Sequence, residues 1–226
     1  MFQISELHRA TLIMDMAAVF ILSGLLIHTA VYRKRGRTDD KLFFAMSIIT
    51  CISAVADAVT YILDGGTFPH AAMISLICNN IFFLTFQLFA VLVVLYLLVR
   101  YQKGKGISRK MVMILGLPAL IMMILILVNN GTYFLYHVDP SVNEFVMGPW
   151  YNLIFVGPAI YGVVALVLIL KIDARVTWLY ILLLAMRLFL GSLLRGVSST
   201  PLIFAMGLAF IHIHVMGTPF YEEVSE

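Results

Sequence analysis

The chain has 226 residues, of which 62% are hydrophobic and 12% are charged, whereas soluble domains are roughly half apolar and about a quarter charged. With a mean hydropathy of +1.01, it has too few polar side chains to cover a soluble fold, so we expect the apolar excess to face lipid. Two cysteines exclude a disulfide-stapled secreted domain and a zinc cluster, and the net charge of +3 reflects the placement of basic residues, not a nucleic-acid surface.

Seven apolar runs are each long enough to cross a bilayer, for which about 20 residues suffice. The first run is too long for a signal peptide and ends in a basic cluster instead of a small-residue cleavage site. We therefore predict an all-α integral membrane protein built as a seven-transmembrane-helix bundle. The predicted spans are residues 11–32, 42–63, 71–99, 111–129, 150–170, 176–194 and 199–217.

Lysine and arginine residues predict the orientation of the bundle, because they are retained on the cytoplasmic side. Twelve of them lie in the connections after the first, third and fifth runs, and only Arg9 and Arg195 lie on the other side. This asymmetry predicts an N-terminus outside and a C-terminus in the cytoplasm. The connection 130–149 is then extracytoplasmic. Aromatic side chains suited to the membrane interface lie in and just after it, namely Tyr133, Phe134, Tyr136, His137, Trp150 and Tyr151.

A few polar side chains interrupt the apolar runs, and each is costly in a bilayer unless it has a partner or a water-filled cavity. One face of the second run is polar, the third run has two polar strips, and the sixth run has an arginine near its middle. These residues are Ser53, Asp57, Thr60, Tyr61 and Asp64 on the second run, Ser75 with Asn79 and Asn80 with Gln87 on the third, and Arg187 on the sixth.

Depth and charge together predict an outward-opening ligand pocket. At 1.5 Å per residue, Asp57 and both asparagines lie within about 15 Å of the outer surface, and Arg187 and Asp15 fall in the same half. We expect Asp57 and Arg187 to be counter-ions there. The alternatives are interhelical hydrogen bonds worth about 0.6 kcal/mol each and a purely structural ion pair. The candidate ligand-binding residues are Asp57, Tyr61, Asn79, Asn80, Gln87 and Arg187.

Histidines offer a second, less specific site. His28 and either His212 or His214 come near the inner ends of the first and seventh runs, where two facing imidazoles can hold haem or a metal. Interfacial histidines without a ligand are the simpler interpretation. We therefore expect neither a cofactor nor a metal.

Several membrane functions are disfavoured by what the chain lacks. The seventh run has no lysine for a retinal Schiff base, and no hydrolase, metalloprotease or P-loop motif occurs, so we expect no enzyme activity from this chain. A small-solute transporter or channel subunit is the main alternative to a receptor. It needs a polar path to the cytoplasm, whereas Leu88–Val99 is almost entirely apolar.

The chain resembles the N-terminal seven-helix sensor regions that precede GGDEF diguanylate cyclase domains in bacteria, and more distantly those of histidine kinases. The resemblance rests on Asp57-Ala58 with Thr60-Tyr61, on Cys78–Phe83, and on Gly148–Leu153 leading to Tyr161. It covers residues 10 to 217.

This resemblance implies a receptor in the bacterial cytoplasmic membrane. Residues 1–217 would form the sensor domain, and 218–226 would begin a linker to a cytoplasmic output domain or partner protein. The other implied partners are the lipid bilayer, an unidentified small-molecule ligand and a second copy of the chain.

Overall fold

The computed structural model describes residues 6–32, 38–66, 69–102, 106–172 and 198–213. Within these ranges the chain forms six helices and one two-stranded antiparallel sheet. The helices are α1 (Glu6–Tyr32), α2 (Thr38–Leu63), α3 (Ala71–Tyr101), α4 (Arg109–Thr132), α5 (Leu153–Ile172) and α6 (Thr200–Ile211). The strands are β1 (Tyr136–Asp139) and β2 (Glu144–Met147).

Five of the described helices, α1 to α5, are long and apolar enough to cross a membrane, which confirms the first five predicted spans as helices. The sixth predicted span, 176–194, lies outside the described residues. The seventh corresponds to α6, which runs from Thr200 to Ile211 and is followed by a π-helical turn at His212 and Ile213, while residues 214–217 of that span lie outside the described residues. The chain is therefore a multi-pass, all-α membrane protein.

Packing between α1 and α2 follows an antiparallel coiled-coil seam, in which buried residues alternate at spacings of four and three. On α1 the buried series is Thr11, Asp15, Ala18, Leu22, Leu25 and Thr29, and on α2 it is Phe43, Ser47, Thr50, Ala54 and Asp57. In the middle of the seam, the hydroxyls of Ser47 and Thr50 donate hydrogen bonds to carbonyls of their own helix. These two hydroxyls are therefore not directed at α1. Of the other polar residues in the seam, Thr11, Asp15 and Asp57 lie toward the end where α1 begins, and Thr29 lies toward the opposite end.

Helix α3 is the centre of the bundle, since it packs against α2, α4, α5 and β1. Helix α6 packs against α1 and α2, and its Phe204 ring stacks on Phe89 of α3 with 4.1 Å between centroids. Stacked and edge-on aromatic pairs of this kind add about 0.5–1.5 kcal/mol to simple burial. Helix α6 is thus held by three neighbours.

The two ends of the bundle differ. At one end, here called the hairpin end, β1 and β2 pair in register from Tyr136 opposite Met147 to Asp139 opposite Glu144. Gly148 closes this hairpin, and any side chain there would collide with the carbonyl oxygen of Phe134. The opposite end, here called the basic end, holds the start of α4 and the end of α5 with Lys171.

Lipid-facing surfaces follow from exposed apolar side chains. Phe20 on α1 is 81% exposed and Met113 on α4 is 67% exposed, although both are strongly apolar. Such surfaces are unfavourable in water and favourable in a hydrocarbon core. They place α1 and α4 at the lipid-contacting periphery of the described helices.

Candidate functional site

The candidate site lies where the α1–α2 seam reaches the hairpin end. His8 Nε2 is 3.3 Å from Asp64 Oδ2, and this pair sets the antiparallel register of the two helices. Seven residues further along α1 and seven back along α2, the same register brings Asp15 opposite Asp57. The two carboxyls interact electrostatically, and Tyr61 interacts with both.

Asp15 is the most unusual member of this group. It is only 1% exposed, and neither carboxyl oxygen accepts a hydrogen bond from any of the described residues. An ionised carboxylate in such surroundings costs several kcal/mol unless it is compensated. Natural proteins keep such groups chiefly where a function uses them.

His8 and Asp64 form the outer rim of the site. Their side chains are 22% and 30% exposed, so this pair meets solvent or lipid headgroups while Asp15 and Asp57 are buried below it. The His8 ring also packs edge-on against Tyr61, with 5.4 Å between centroids. Partial burial raises the pKa of Asp64 above its ordinary value, and the nearby His8 opposes that shift.

The site also contacts the start of α6. Thr11, one turn before Asp15 on α1, accepts a hydrogen bond from the backbone N–H of Ser198 at 3.3 Å. Thr11 is fully buried, and Ser199, which precedes α6, is buried as well. Thr11 therefore links the α1–α2 seam to the residues that lead into α6.

Asn80, a predicted ligand-binding residue, has protein partners. Its Oδ1 accepts from the Tyr136 hydroxyl at 2.5 Å, and its Nδ2 donates to Asn130 at 2.9 Å. Tyr136 is fully buried, so its predicted role in the interfacial aromatic belt is wrong. Trp150, by contrast, is 61% exposed, as an interfacial residue would be.

Asn79 and Gln87 likewise bond within the fold. Asn79 donates to the Ser75 carbonyl of its own helix at 2.9 Å. Gln87 is fully buried and donates to the Ile154 carbonyl at 2.7 Å. That carbonyl has no helical donor because residue 158 is proline, which lacks an N–H. Gln87 thus satisfies a backbone group that Pro158 leaves open.

The second helix proline has a comparable neighbour. Close to Pro118 in α4, the Tyr161 hydroxyl donates to the Leu115 carbonyl at 2.5 Å and accepts from the Ala119 N–H at 3.3 Å. The hydroxyl is therefore inserted into the backbone ladder, a known way to interrupt a helix. Tyr161 belongs to the sequence landmarks of the resemblance, and its role here is to join α5 to α4.

We expect Gln87→Leu to destabilise the protein by about 1–3 kcal/mol, because it leaves the buried Ile154 carbonyl without a donor. Adding Pro158→Ala should restore most of that loss, since alanine supplies the missing N–H. Thr85→Val, which removes a hydroxyl bonded only within α3, is the control. Unfolding free energies in mild detergent provide the measurement. A double variant no more stable than Gln87→Leu alone would show that Gln87 does not serve the proline site.

Arg187, the predicted counter-ion of Asp57, lies outside the described residues. Among described residues the structure places Asp57 beside Asp15 and Tyr61, while Asn80 and Gln87 face the hairpin and α5 instead. The sequence predicts Asp15 in the same half of the bundle as Asp57, as observed, but Asp15 is not among the predicted ligand-binding residues. It overlooked His8, which only the register between α1 and α2 brings to Asp64.

A cleft of about 770 Å³ also opens at the hairpin end, between the turn that follows α2 and the turn that joins β1 to β2. His70 and Glu144 lie on its two walls. Asn143, in a left-handed conformation with φ of 55°, ties the walls together by donating its side-chain N–H to the Leu63 carbonyl. The cleft is large enough for a small molecule, since ligand pockets span about 300–1,000 Å³.

Hydrogen bonds within the hairpin turn lower the pKa of Asp139. Asp139 Oδ1 accepts from both the hydroxyl and the N–H of Ser141, and these hydrogen bonds hold the pKa of Asp139 below its ordinary value. A lowered pKa in the folded state means that the turn is stabilised above the ordinary aspartate pKa and loses this contribution as the pH falls through the lowered value. We expect Ser141→Ala to raise the pKa of Asp139, as followed by carboxyl NMR shifts. An unchanged titration would contradict this assignment.

At the basic end, the predicted meeting of His28 with His212 is observed. His212 Nε2 lies 2.9 Å from His28 Nδ1, and His214 lies outside the described residues. In the described part of the chain, no cluster of three or more metal-ligating side chains forms. The two facing nitrogens are occupied by their mutual hydrogen bond, so the pair links α1 to α6.

Comparisons with known proteins add no identification. No protein-family model, curated protein or solved structure matches the chain. The side chains that the structure singles out are the buried acidic pair of Asp15 and Asp57 and, one turn away, Thr11 with its hydrogen bond from Ser198.

Proposed function

We propose that the chain is a membrane signal-input domain, that is, a receptor or sensor of the bacterial cytoplasmic membrane. A ligand- or membrane-derived signal enters at the hairpin end, which faces outward, and passes through α6 to a cytoplasmic output domain such as a diguanylate cyclase or kinase. The positive-inside rule supports this orientation, because the basic end would be cytoplasmic. The seven-helix sensor regions that the sequence resembles have the same arrangement.

The observation that carries the proposal is the position of Asp15. It is a buried carboxyl without a hydrogen bond from the described residues, opposite Asp57, and one turn from the Thr11 contact with Ser198. A purely structural seam is better served by apolar residues, as the Ala18 and Leu22 positions of the same seam show. Its destabilising charge therefore favours a role in switching.

The contacts of α6 provide a route for the signal. At the hairpin end α6 begins beside Thr11, and at the basic end its His212 bonds to His28 and packs against Phe43 of α2. A shift of α1 against α2 would therefore alter the contacts at both ends of α6. A stimulus that binds one packing state a hundredfold more tightly supplies about 2.7 kcal/mol to such a shift.

A transporter or channel subunit remains the alternative from sequence, and the described residues give it little support. Below Asp15 the α1–α2 seam continues with Ala18 and Leu22. The hydroxyls of Ser47 and Thr50 are already bonded to carbonyls of α2. No polar path from Asp15 to the basic end is therefore present along this seam of the described chain.

Fusion of the full chain, through Glu226, to a diguanylate cyclase tests the proposal in bacterial membranes. Asp15→Asn should lock one packing state and change cyclic-dinucleotide output by about 5–150-fold, the range of typical allosteric couplings. Asp57→Asn tests the second carboxyl of the pair, and Arg187→Gln tests the counter-ion that the sequence predicts for it. Ser23→Ala is the matched control on α1, since Ser23 bonds only to the Val19 carbonyl of its own helix.

The proposal fails if all three charge variants are inserted at normal levels and give the same output as Ser23→Ala under every stimulus. Solute uptake by proteoliposomes containing the chain alone would instead establish the transporter. Membrane insertion is checked for each variant by its abundance in the washed membrane fraction.

A further inference from the structure

We propose that the ligand of the acidic site is a proton, bound to Asp15 between α1 and α2. This inference rests on the proposed function, because it names the stimulus that the site would detect. The proton adds to one carboxylate oxygen and converts the charged side chain into a neutral carboxylic acid. Release of the proton restores the charge and repels Asp57 across the seam.

The first reason to expect a bound proton is that two acidic side chains of like charge lie close together. The register set by His8 and Asp64 brings Asp15 and Asp57 face to face, and the two carboxyls interact electrostatically. Two carboxylates that share a buried site cannot both ionise easily, so one of them holds a proton. Asp15 is the natural holder because it is 1% exposed and receives no hydrogen bond from the described residues.

The surroundings do not suit a metal cation. Among the described residues, no third histidine, cysteine or acidic side chain joins this pair to complete a set of metal ligands. Hard cations such as Ca²⁺ require about 6–8 oxygen ligands. Along α1, the next buried neighbours of Asp15 are Thr11 and Ala18, which together offer one hydroxyl. A proton needs no such coordination shell.

A route for the proton leads to the surface at the hairpin end. Tyr61 lies between the acidic pair and the partly exposed His8–Asp64 pair, since it interacts with both aspartates and its ring packs against His8. These groups can exchange protons with the outside while Asp15 is buried. The groups facing the pair are therefore His8 on α1, Tyr61 and Asp64 on α2, and Tyr151, which interacts with Tyr61 from the turn before α5.

The other packed elements add no competing charge within the described chain. Helix α6 contains no charged residue, and the first half of α3 contains only Cys78 as an ionisable group. Arg187 and Arg195 lie outside the described residues. Protonation of Asp15 removes the charge repulsion between α1 and α2 beside Ser198. The closely packed state of α1, α2 and α6 is therefore expected at neutral pH, and loss of the proton at alkaline pH is expected to open it.

Infrared difference spectroscopy of the purified full chain in lipid nanodiscs tests this proposal without any output domain. At neutral pH the wild type should show the C=O stretching band of a buried carboxylic acid, and Asp15→Asn should abolish it. Asp64→Asn, at the partly exposed rim, is the matched control and should keep the band. Asp15→Glu retains a carboxyl and should keep the band at a shifted frequency. A band in this variant shows that substitution at position 15 does not remove the band merely by misfolding the protein.

Three results would overturn the proposal. They are a band that survives in Asp15→Asn, a wild type without the band, and a band that disappears when choline chloride is replaced by sodium chloride, which would identify an alkali ion as the occupant. Because the spectrum requires no signalling, an intact band combined with unresponsive fusions would refute the sensor function alone. Responsive fusions without the band would refute only the proton.

Discussion

Asn129→Ala is expected to release the hairpin from the bundle and to lower the unfolding free energy by about 3 kcal/mol, from three hydrogen bonds of about 1 kcal/mol each. Asn129 is fully buried near the end of α4. Its Oδ1 accepts from the N–H groups of Leu135 and Tyr136, at 2.7 and 3.3 Å, and its Nδ2 donates to the Tyr136 carbonyl at 2.7 Å. No other side chain is placed to replace it among the described residues of the hairpin.

Each of the three hydrogen bonds should contribute its full value of about 1 kcal/mol. Leu135 and Tyr136 are both fully buried, so their backbone groups cannot turn to water when Asn129 is removed. The hairpin would still be held by the Tyr136 hydroxyl on Asn80 and by the Asn143 side chain on the Leu63 carbonyl. We therefore expect a native bundle with a loosened hairpin.

Hydrogen exchange of residues 134–148 measures this effect directly. Protection should fall in the hairpin and persist in the middle of α3, which the hairpin does not stabilise. Thr132→Ala is the matched control, because its exposed hydroxyl bonds only to the Val128 carbonyl on the same helix. Equal hairpin protection in Asn129→Ala and Thr132→Ala would show that the amide does not hold this segment.

Asn129 also shows what the sequence could and could not predict. The spans followed from length and apolarity alone, since a bilayer requires about 20 such residues. From the sequence, Asn129 is predicted to end the fourth span, because polar side chains commonly mark the end of a membrane-spanning helix. Its partners are six and seven residues away across a turn, and only the fold of that turn shows them.

The hairpin itself escaped prediction for a related reason. Residues 136–147 lack the Asn-Gly or Asp-Gly pair that marks the commonest two-residue turns. The structure uses a longer turn, in which Asn143 adopts a left-handed conformation. Within an all-helical membrane context, a four-residue strand gives a weaker signal than the apolar runs beside it.

Partners inside the bundle were the hardest to predict. The sequence predicts the polar face of the second span, and Asp57 is indeed buried, but its electrostatic interaction with Asp15 depends on the register between two helices. The spacing of four and three along α1 places Asp15 in the buried series, since Thr11, Asp15 and Ala18 continue into Leu22. Periodicity shows which residues are buried, whereas a contact such as that of His8 with Asp64 is needed to align the partners.

The largest loss of stability is expected at the basic end, from breaking the buried ion pair of Arg100 with Asp39. Arg100 Nη1 lies 3.3 Å from Asp39 Oδ2, and the side chains are only 8% and 5% exposed. Removal of one partner leaves a buried charge, so Arg100→Ala should cost about 3–5 kcal/mol. Arg109→Ala, which removes an exposed charge at the same end, should cost far less.

The reason for the size of this effect is the place of the pair in the bundle. Arg100 lies in the last turn of α3 and Asp39 in the first turn of α2, so each charge also complements the dipole of its own helix. Helices α2 and α3 share a long interface, and this pair closes it at the end where α6 contacts Phe43. A variant that loosens it should weaken the basic end while the acidic site at the hairpin end is retained.

A double-mutant cycle separates the pair itself from the cost of an orphaned charge. Arg100→Met combined with Asp39→Leu should recover most of the stability lost by Arg100→Ala, because apolar residues of similar volume avoid the desolvation of both charges. Unfolding free energies in mild detergent of the wild type, Arg100→Met, Asp39→Leu and the double variant give the cycle. If the double variant is less stable than Arg100→Ala, then apolar residues cannot replace the pair, and the attraction between the two charges holds α2 to α3. If Arg100→Ala is no worse than Arg109→Ala, the pair contributes nothing, because a buried charge left alone would have to cost more than an exposed one.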